Sequence, residues 1–202
     1  VLFLFFQPNQ EIFMGLISAI GKLTRPLRAG EDTLILSQPE FESIPETLEI
    51  TSPAFTDGQP LPLRYTISGE DLSPPLRWGN VPSGTRELVL IVEDYDISLP
   101  KPMVHCIAYH LPPEGELREG ALPSRNADAL DPVPKLGRNG MGFHRYDGSA
   151  APPGHGPHHY VFQFFAVSRE LEFEGAPSKN EFLDAMKDHV LAVGRLTGTF
   201  ER

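Results

Sequence analysis

Apolar residues recur at helical spacing from Gly15 to Arg28. Leu16, Ile17, Ile20, Leu23 and Leu27 share one side, and Lys22, Arg25 and Arg28 are available for the other, so the pattern predicts an amphipathic helix weakened in its last turn by Pro26. Glu31 to Glu49 is polar, contains Pro39 and Pro45, and reads as a linker. The pattern then changes to strands. Leu63, Tyr65 and Ile67 alternate with Arg64 and Thr66, Leu88–Val92 is a continuous apolar run suited to a strand covered on both faces, and Met103–Tyr109 and Tyr160–Val167 add two more. Pro- and Gly-rich turns separate them at Ser73-Pro74-Pro75, Pro82-Ser83-Gly84 and Pro112–Gly115. Ser178-Lys179-Asn180-Glu181 is a capping box ahead of a helix with Phe182, Met186, Val190 and Val193 along one side, and Leu196–Phe200 suits a final strand. Many strands with one late helix indicate a mainly β protein, expected as a two-sheet antiparallel sandwich. The expected division is an appended, non-native segment over 1–13, a helical arm and linker over 14–47, and a β domain over 48–202. Met14 is the expected natural start.

Composition narrows the function classes. The 202 residues suit one globular domain with an arm, and the 18 glycines and 21 prolines fit many turns and short strands. A net charge of −10 argues against a general nucleic-acid binder, which needs a basic surface to displace phosphate counterions. The single cysteine, Cys106, excludes an internal disulfide and is consistent with the cytoplasm. No apolar run reaches the roughly 18 residues of a transmembrane helix, and the short Val1–Phe6 stretch lacks the basic flank of a signal peptide. The Gly15–Arg28 stripe is long enough to bury against a second copy, so a homodimer is expected.

Three segments set polar groups beside buried strands: Asp94-Tyr95-Asp96 after the apolar run, His105 within an apolar strand, and the Gly/Pro/His stretch Tyr146–Tyr160, whose following strand puts His158 and Tyr160 on one face. Each alone is ordinary: a core histidine, a strand-end turn, a loop. Together they offer convergent polar groups against an apolar wall, the recipe for a small-ligand pocket. Gly137–Gly142 is expected to be a plain turn. Cys106 and its neighbour His105 point to opposite faces, so they form no dyad, and no G-x-S-x-G is present. His158 and His159 diverge likewise, so no metal is expected.

These residues resemble the phosphatidylethanolamine-binding protein family, in its bacterial-type Raf-kinase-inhibitor-like branch. The resemblance runs from about Ile50 to Arg202. It rests on Ser52-Pro53-Ala54-Phe55, Asp71-Leu72-Ser73-Pro74-Pro75-Leu76-Arg77-Trp78, Val89–Asp96, Val104-His105, Pro152–Tyr160 and the closing helix–strand. It implies a two-sheet sandwich with a small anion-binding cavity at one end, and a dimer. On that resemblance Asp94 and Asp96 match the acids of a D-P-D-A-P motif and His105 its buried strand histidine. Pro152 and Pro153 match the rim prolines, and His158 and Tyr160 the outer residues of H-R-Y. Four positions depart: Tyr95 replaces the first motif proline, Ile97-Ser98 replace Ala-Pro, and His159 replaces the arginine, removing a permanent charge.

A binder of a small anionic or phosphorylated ligand, acting as a regulator and needing no cofactor, is the leading expectation. One alternative is an enzyme using Asp94, His105 and His158 for acid–base isomerisation or cyclisation of a metabolite. Another is a kinase or protease inhibitor acting through its outer surface. Ligand-binding residues are expected to be Asp94, Asp96, His105, Pro152, Pro153, His158 and Tyr160.

Overall fold

The computed structural model describes residues 7–126, 128 and 134–202, with the backbone alone over 7–12; Val1–Phe6 lies outside the described residues. Among the described residues nine strands form two sheets. The smaller, in the order β1 (Glu49–Thr51), β3 (Leu76–Gly79), β6 (Glu116–Leu117), is antiparallel. The larger runs β2 (Gln59–Pro60), β9 (Val190–Phe200), β8 (His158–Val167), β4 (Glu87–Asp94), β5 (Met103–Leu111), β7 (Lys135–Leu136), and only β2–β9 is parallel. Helices α1 (Gln7–Thr24) and α2 (Lys179–Met186) complete it.

All eight residues of β4 are buried, as its apolar run requires. Its alternate side chains enter two clusters. Leu88, Leu90 and Val92 join Phe162 and Phe164 of β8 and Ile50, Leu76 and Trp78 of the smaller sheet. Val89 and Ile91 join Phe165, Phe182 and Met186 beneath α2. Glu93, fully buried in β4, is compensated by Gln163 Nε2 (2.9 Å), the Ile35 main-chain N–H (3.0 Å) and Lys179 Nζ (2.8 Å).

Several expectations need correction. Leu63–Tyr65 is a 3₁₀ turn, not a strand; Leu63 is exposed, and the Thr66 hydroxyl donates back to its carbonyl at 2.8 Å. The 31–49 stretch is more than a linker: its two 3₁₀ turns, Glu31–Thr33 and Ile35–Ser37, bury Leu34 and Ile35, and Ile35 and Phe41 join the cluster beneath α2. Helix α2 stops at Met186 because Asp188 turns left-handed (φ 63°), and Val190 and Val193 belong to β9. Helix α1 begins at Gln7, stops before Pro26 and is turned over relative to its pattern. Gly21 is buried against the domain, while Leu16, Ile20, Leu23 and Leu27 point outward with Phe13.

Candidate functional site

The carboxyl end of β4, the start of β5 and the start of β8 lie side by side, with Asp94 opposite both Met103 and Tyr160. This register brings the three segments together. His105 and Tyr160 meet ring edge to face at 5.1 Å, and Ala150 donates its main-chain N–H to the Tyr160 oxygen at 3.0 Å. Nδ1 of His105 donates to the main-chain oxygen of Asp147 at 2.8 Å, since a carbonyl can only accept. Nε2 is therefore the lone-pair nitrogen of the neutral ring. Asp94 takes the Asp96 N–H on Oδ1 (2.8 Å) and His158 Nδ1 on Oδ2 (2.7 Å), and His158 Nε2 meets His155 Nδ1 at 2.7 Å. Burial first, and then His158, hold the His155 imidazole below its usual range. Burial pushes the Tyr160 phenol well up, so it stays neutral.

A cavity of about 120 Å³ opens beside these groups, lined by Asp94, Ile97, His105, Arg125, Met141 and Asp147 among others. Of the seven expected ligand-binding residues, only Asp94 and His105 line it. Tyr160 and His158 stand behind them as supports. Asp96 is turned toward His159, whose N–H and Nδ1 reach its Oδ2 at 2.6 and 2.7 Å. Pro152 and Pro153 do not line this cavity; the Pro153 carbonyl lies against Gly21 of α1.

The sequence reading missed Arg125, Met141 and Asp147. Asp147 is a hub: Oδ1 accepts from Arg145 Nε (2.9 Å) with Arg125 Nη2 at 3.5 Å, and Oδ2 accepts from Asn139 Nδ2 (2.6 Å). Asn139 also takes the Met141 and Phe143 N–H groups, both at 3.0 Å, so the expected plain turn at Gly137–Gly142 is a braced wall of the site. Behind the opposite wall, buried Asp71 accepts from the Gly148 N–H at 2.8 Å on Oδ1 while Oδ2 has no partner, and burial raises its pKa. Cys106 points into the inter-sheet cluster, where burial pushes its thiol well up and leaves it inert. Among the described residues no group of three or more His, Cys, Asp or Glu is placed to hold a metal ion, and no helix is long and apolar enough to cross a membrane. Among the described residues the cavity thus brings together the carboxylates of Asp94 and Asp147, the His105 imidazole and one half-exposed cation, Arg125, whose Nη2 lies 3.5 Å from Asp147 Oδ1.

A family model described as phosphatidylethanolamine-binding protein matches residues 51–201. The UPF0098 protein PH1269 of Pyrococcus horikoshii is 35% identical over 157 residues, covering 77% of each chain. The UPF0098 protein of Methanothermobacter thermautotrophicus is 34% identical over 155 residues, 77% of this chain and 99% of that one. A solved structure described as a putative phosphatidylethanolamine-binding protein homolog, CT736 of Chlamydia trachomatis, is 33% identical with a TM-score of 0.68, covering 78% of this chain and 99% of its own. E. coli YbcL shares the fold at a TM-score of 0.69 and 24% identity, over 77% of this chain and 99% of its own. With the family model spanning residues 51–201 and relatives above 30% identity over three-quarters of its length, the chain belongs to the phosphatidylethanolamine-binding protein family.

Proposed function

We propose that this protein binds a small anion that also carries a hydrogen-bond donor, a phosphorylated or carboxylated head group, and acts as a regulator through that binding. The observation that carries the reading is the meeting of Arg125, His105 Nε2 and Asp94 at one cavity. Guanidinium pairs with phosphate or carboxylate through paired N–H donors. The Asp94 carboxylate accepts, and so does Nε2 of His105 when the ring proton sits on Nδ1 toward the Asp147 carbonyl, so together they select a ligand bearing an O–H or N–H. At about 120 Å³ the space is below the roughly 300–1,000 Å³ of drug-sized pockets, which favours a head group over a lipid chain. Calorimetric titration with inorganic phosphate, ethanolamine and O-phosphoethanolamine tests it. O-phosphoethanolamine is expected to bind tightest. Equal or absent binding of all three would overturn the reading, and recovery of a chemically altered ligand would assign the pocket to acid–base chemistry instead.

The outward stripe of α1 supports a homodimer. Phe13, Leu16, Ile20, Leu23 and Leu27 are each more than half exposed, and an apolar patch of this kind on a monomer commonly marks an interface. Light scattering on the full chain and on Leu23→Glu is expected to give dimer and monomer; a monomeric parent would overturn this part.

A further inference from the structure

Tyr95, Ile97 and Ser98 touch the N-terminal arm, and His159 touches Tyr95. Tyr95, in place of the first motif proline, stacks on His159, in place of the motif arginine, at 5.2 Å and 6°. The Tyr95 carbonyl accepts from the Gly30 N–H and the Ile97 carbonyl from the Ala29 N–H, both at 3.1 Å. Ser98 Oγ donates to the Leu27 carbonyl at 3.1 Å. Between these contacts Arg28 reaches Asp96: its Nη1 is paired with Oδ1 and also donates to the Pro157 carbonyl at 3.1 Å, while Nη2 points at the His155 carbonyl at 3.4 Å. The Asp96 side chain is 4% exposed, so its charge has little help from water. His159, on Oδ2, provides only a titratable partner. The niche of one carboxylate and two carbonyls therefore fits a planar guanidinium.

We propose that Arg28 is a positioning residue of the candidate site: the arm delivers a permanent positive charge to buried Asp96, and through Asp96 it fixes the Tyr95–Ser98 segment whose Ile97 forms one cavity wall. The arm is then a working part of the pocket rim, joined to it at Tyr95, Asp96, Ile97 and Ser98. The consequence for ligand affinity rests on the proposed function; the positioning itself does not.

Hydrogen exchange of the Ala29 and Gly30 amides in the full chain reads the positioning directly. Arg28→Ala is expected to speed their exchange about tenfold or more, and Arg28→Lys less, because an ammonium keeps the charge on Asp96 but not the fork geometry. Adding 20 mM guanidinium, about fiftyfold below denaturing concentrations, is expected to restore slow exchange in Arg28→Ala and to leave the parent unchanged. Unchanged exchange in Arg28→Ala, or accelerated exchange that guanidinium does not slow, would overturn the proposal; the second result would mean general loosening of the fold. In parallel, Arg28→Ala is expected to weaken O-phosphoethanolamine binding severalfold, with the same rescue. If the parent binds none of the three probes, the proposed function fails and exchange alone decides the role of Arg28.

Discussion

Nδ1 of His105 donates to the main-chain oxygen of Asp147 at 2.8 Å, and this bond leaves Nε2 as the remaining nitrogen of a ring that lines the cavity. A ring held by its Nδ1–H presents Nε2 as an acceptor. His105→Phe keeps the aromatic volume packed on Tyr160 and removes that acceptor. It is expected to weaken O-phosphoethanolamine binding by about two- to tenfold, the worth of one neutral hydrogen bond. Arg125→Ala removes a charged contact and is expected to cost roughly tenfold or more. Titration calorimetry checks both; equal loss of ethanolamine and phosphate binding in Arg125→Ala would show that the guanidinium does not read the anion.

Glu87 gives a pH dependence with a definite sign. It is 2% exposed, neither carboxylate oxygen has a hydrogen-bond partner, and His110 Nε2 approaches only to 3.4 Å while already meeting the Leu171 carbonyl at 2.8 Å. Burial chiefly pushes its carboxyl up to about 7. The folded protein therefore holds a proton that the unfolded chain releases near the ordinary carboxylate range, and stability falls as pH rises through that window to about 7. Glu87→Gln is expected to remove the fall and to raise the melting temperature at pH 8 by several degrees, on the order of 1–3 kcal/mol, with little effect at pH 4. Thermal unfolding at the two pH values checks this; a variant no more stable than the parent at pH 8 would contradict it.

Asp71 supports the cavity wall from behind. Its backbone is left-handed (φ 60°), its Oδ1 takes the Gly148 N–H, and Gly148 lines the cavity. Asp71→Ala leaves that buried N–H unpaired and is expected to cost about 1–3 kcal/mol. Asp71→Asn keeps the oxygen acceptor and is expected to cost clearly less. Chemical denaturation with both variants checks the order; equal losses would mean that Gly148 does not depend on the side-chain oxygen.

The strands legible in the sequence were those whose pattern is dictated by burial on two faces. β4 announced itself by Leu88–Val92, and the Ser178–Glu181 capping box is present, with the Ser178 N–H donating to Glu181 Oε2 at 2.7 Å. The alternation at Leu63–Ile67 misled because five residues are too few to separate a strand from a 3₁₀ turn stabilised by Thr66. At the candidate site, Asp94, His105, His158 and Tyr160 stood out because they interrupt or flank apolar strands. Arg125, Asn139 and Asp147 lie in turns without periodicity, where nothing in the spacing ties an arginine to an aspartate 22 positions on. The seating of α1 was illegible for a different reason. Periodicity locates an apolar face but does not say whether that face meets this domain or another molecule.

The signal that does orient α1 is its smallest residue. A side chain at Gly21 would run into the Pro153 carbonyl, with the His155 nitrogen 3.0 Å away and Gly154 at 3.2 Å, and all three obstacles are backbone that cannot turn aside. The helix therefore comes close to the Pro152–Pro157 loop at this position, beside Ser18, whose own oxygens lie against Gly154. Gly21→Val is expected to lift α1 from the loop while leaving the β-sheets intact, since the atoms nearest the new side chain belong to the Pro153–His155 loop. Three consequences follow from the contacts of the arm. Hydrogen exchange at Ala29 and Gly30 quickens, His155 loses its Nε2 contacts with the Thr24 carbonyl (3.1 Å) and Ser98 Oγ (2.9 Å), and its imidazole rises toward the ordinary range as water reaches it. Exchange mass spectrometry and an NMR titration of the His155 ring check them together. An unchanged His155 titration in Gly21→Val would show that burial under the arm is not what holds its pKa down.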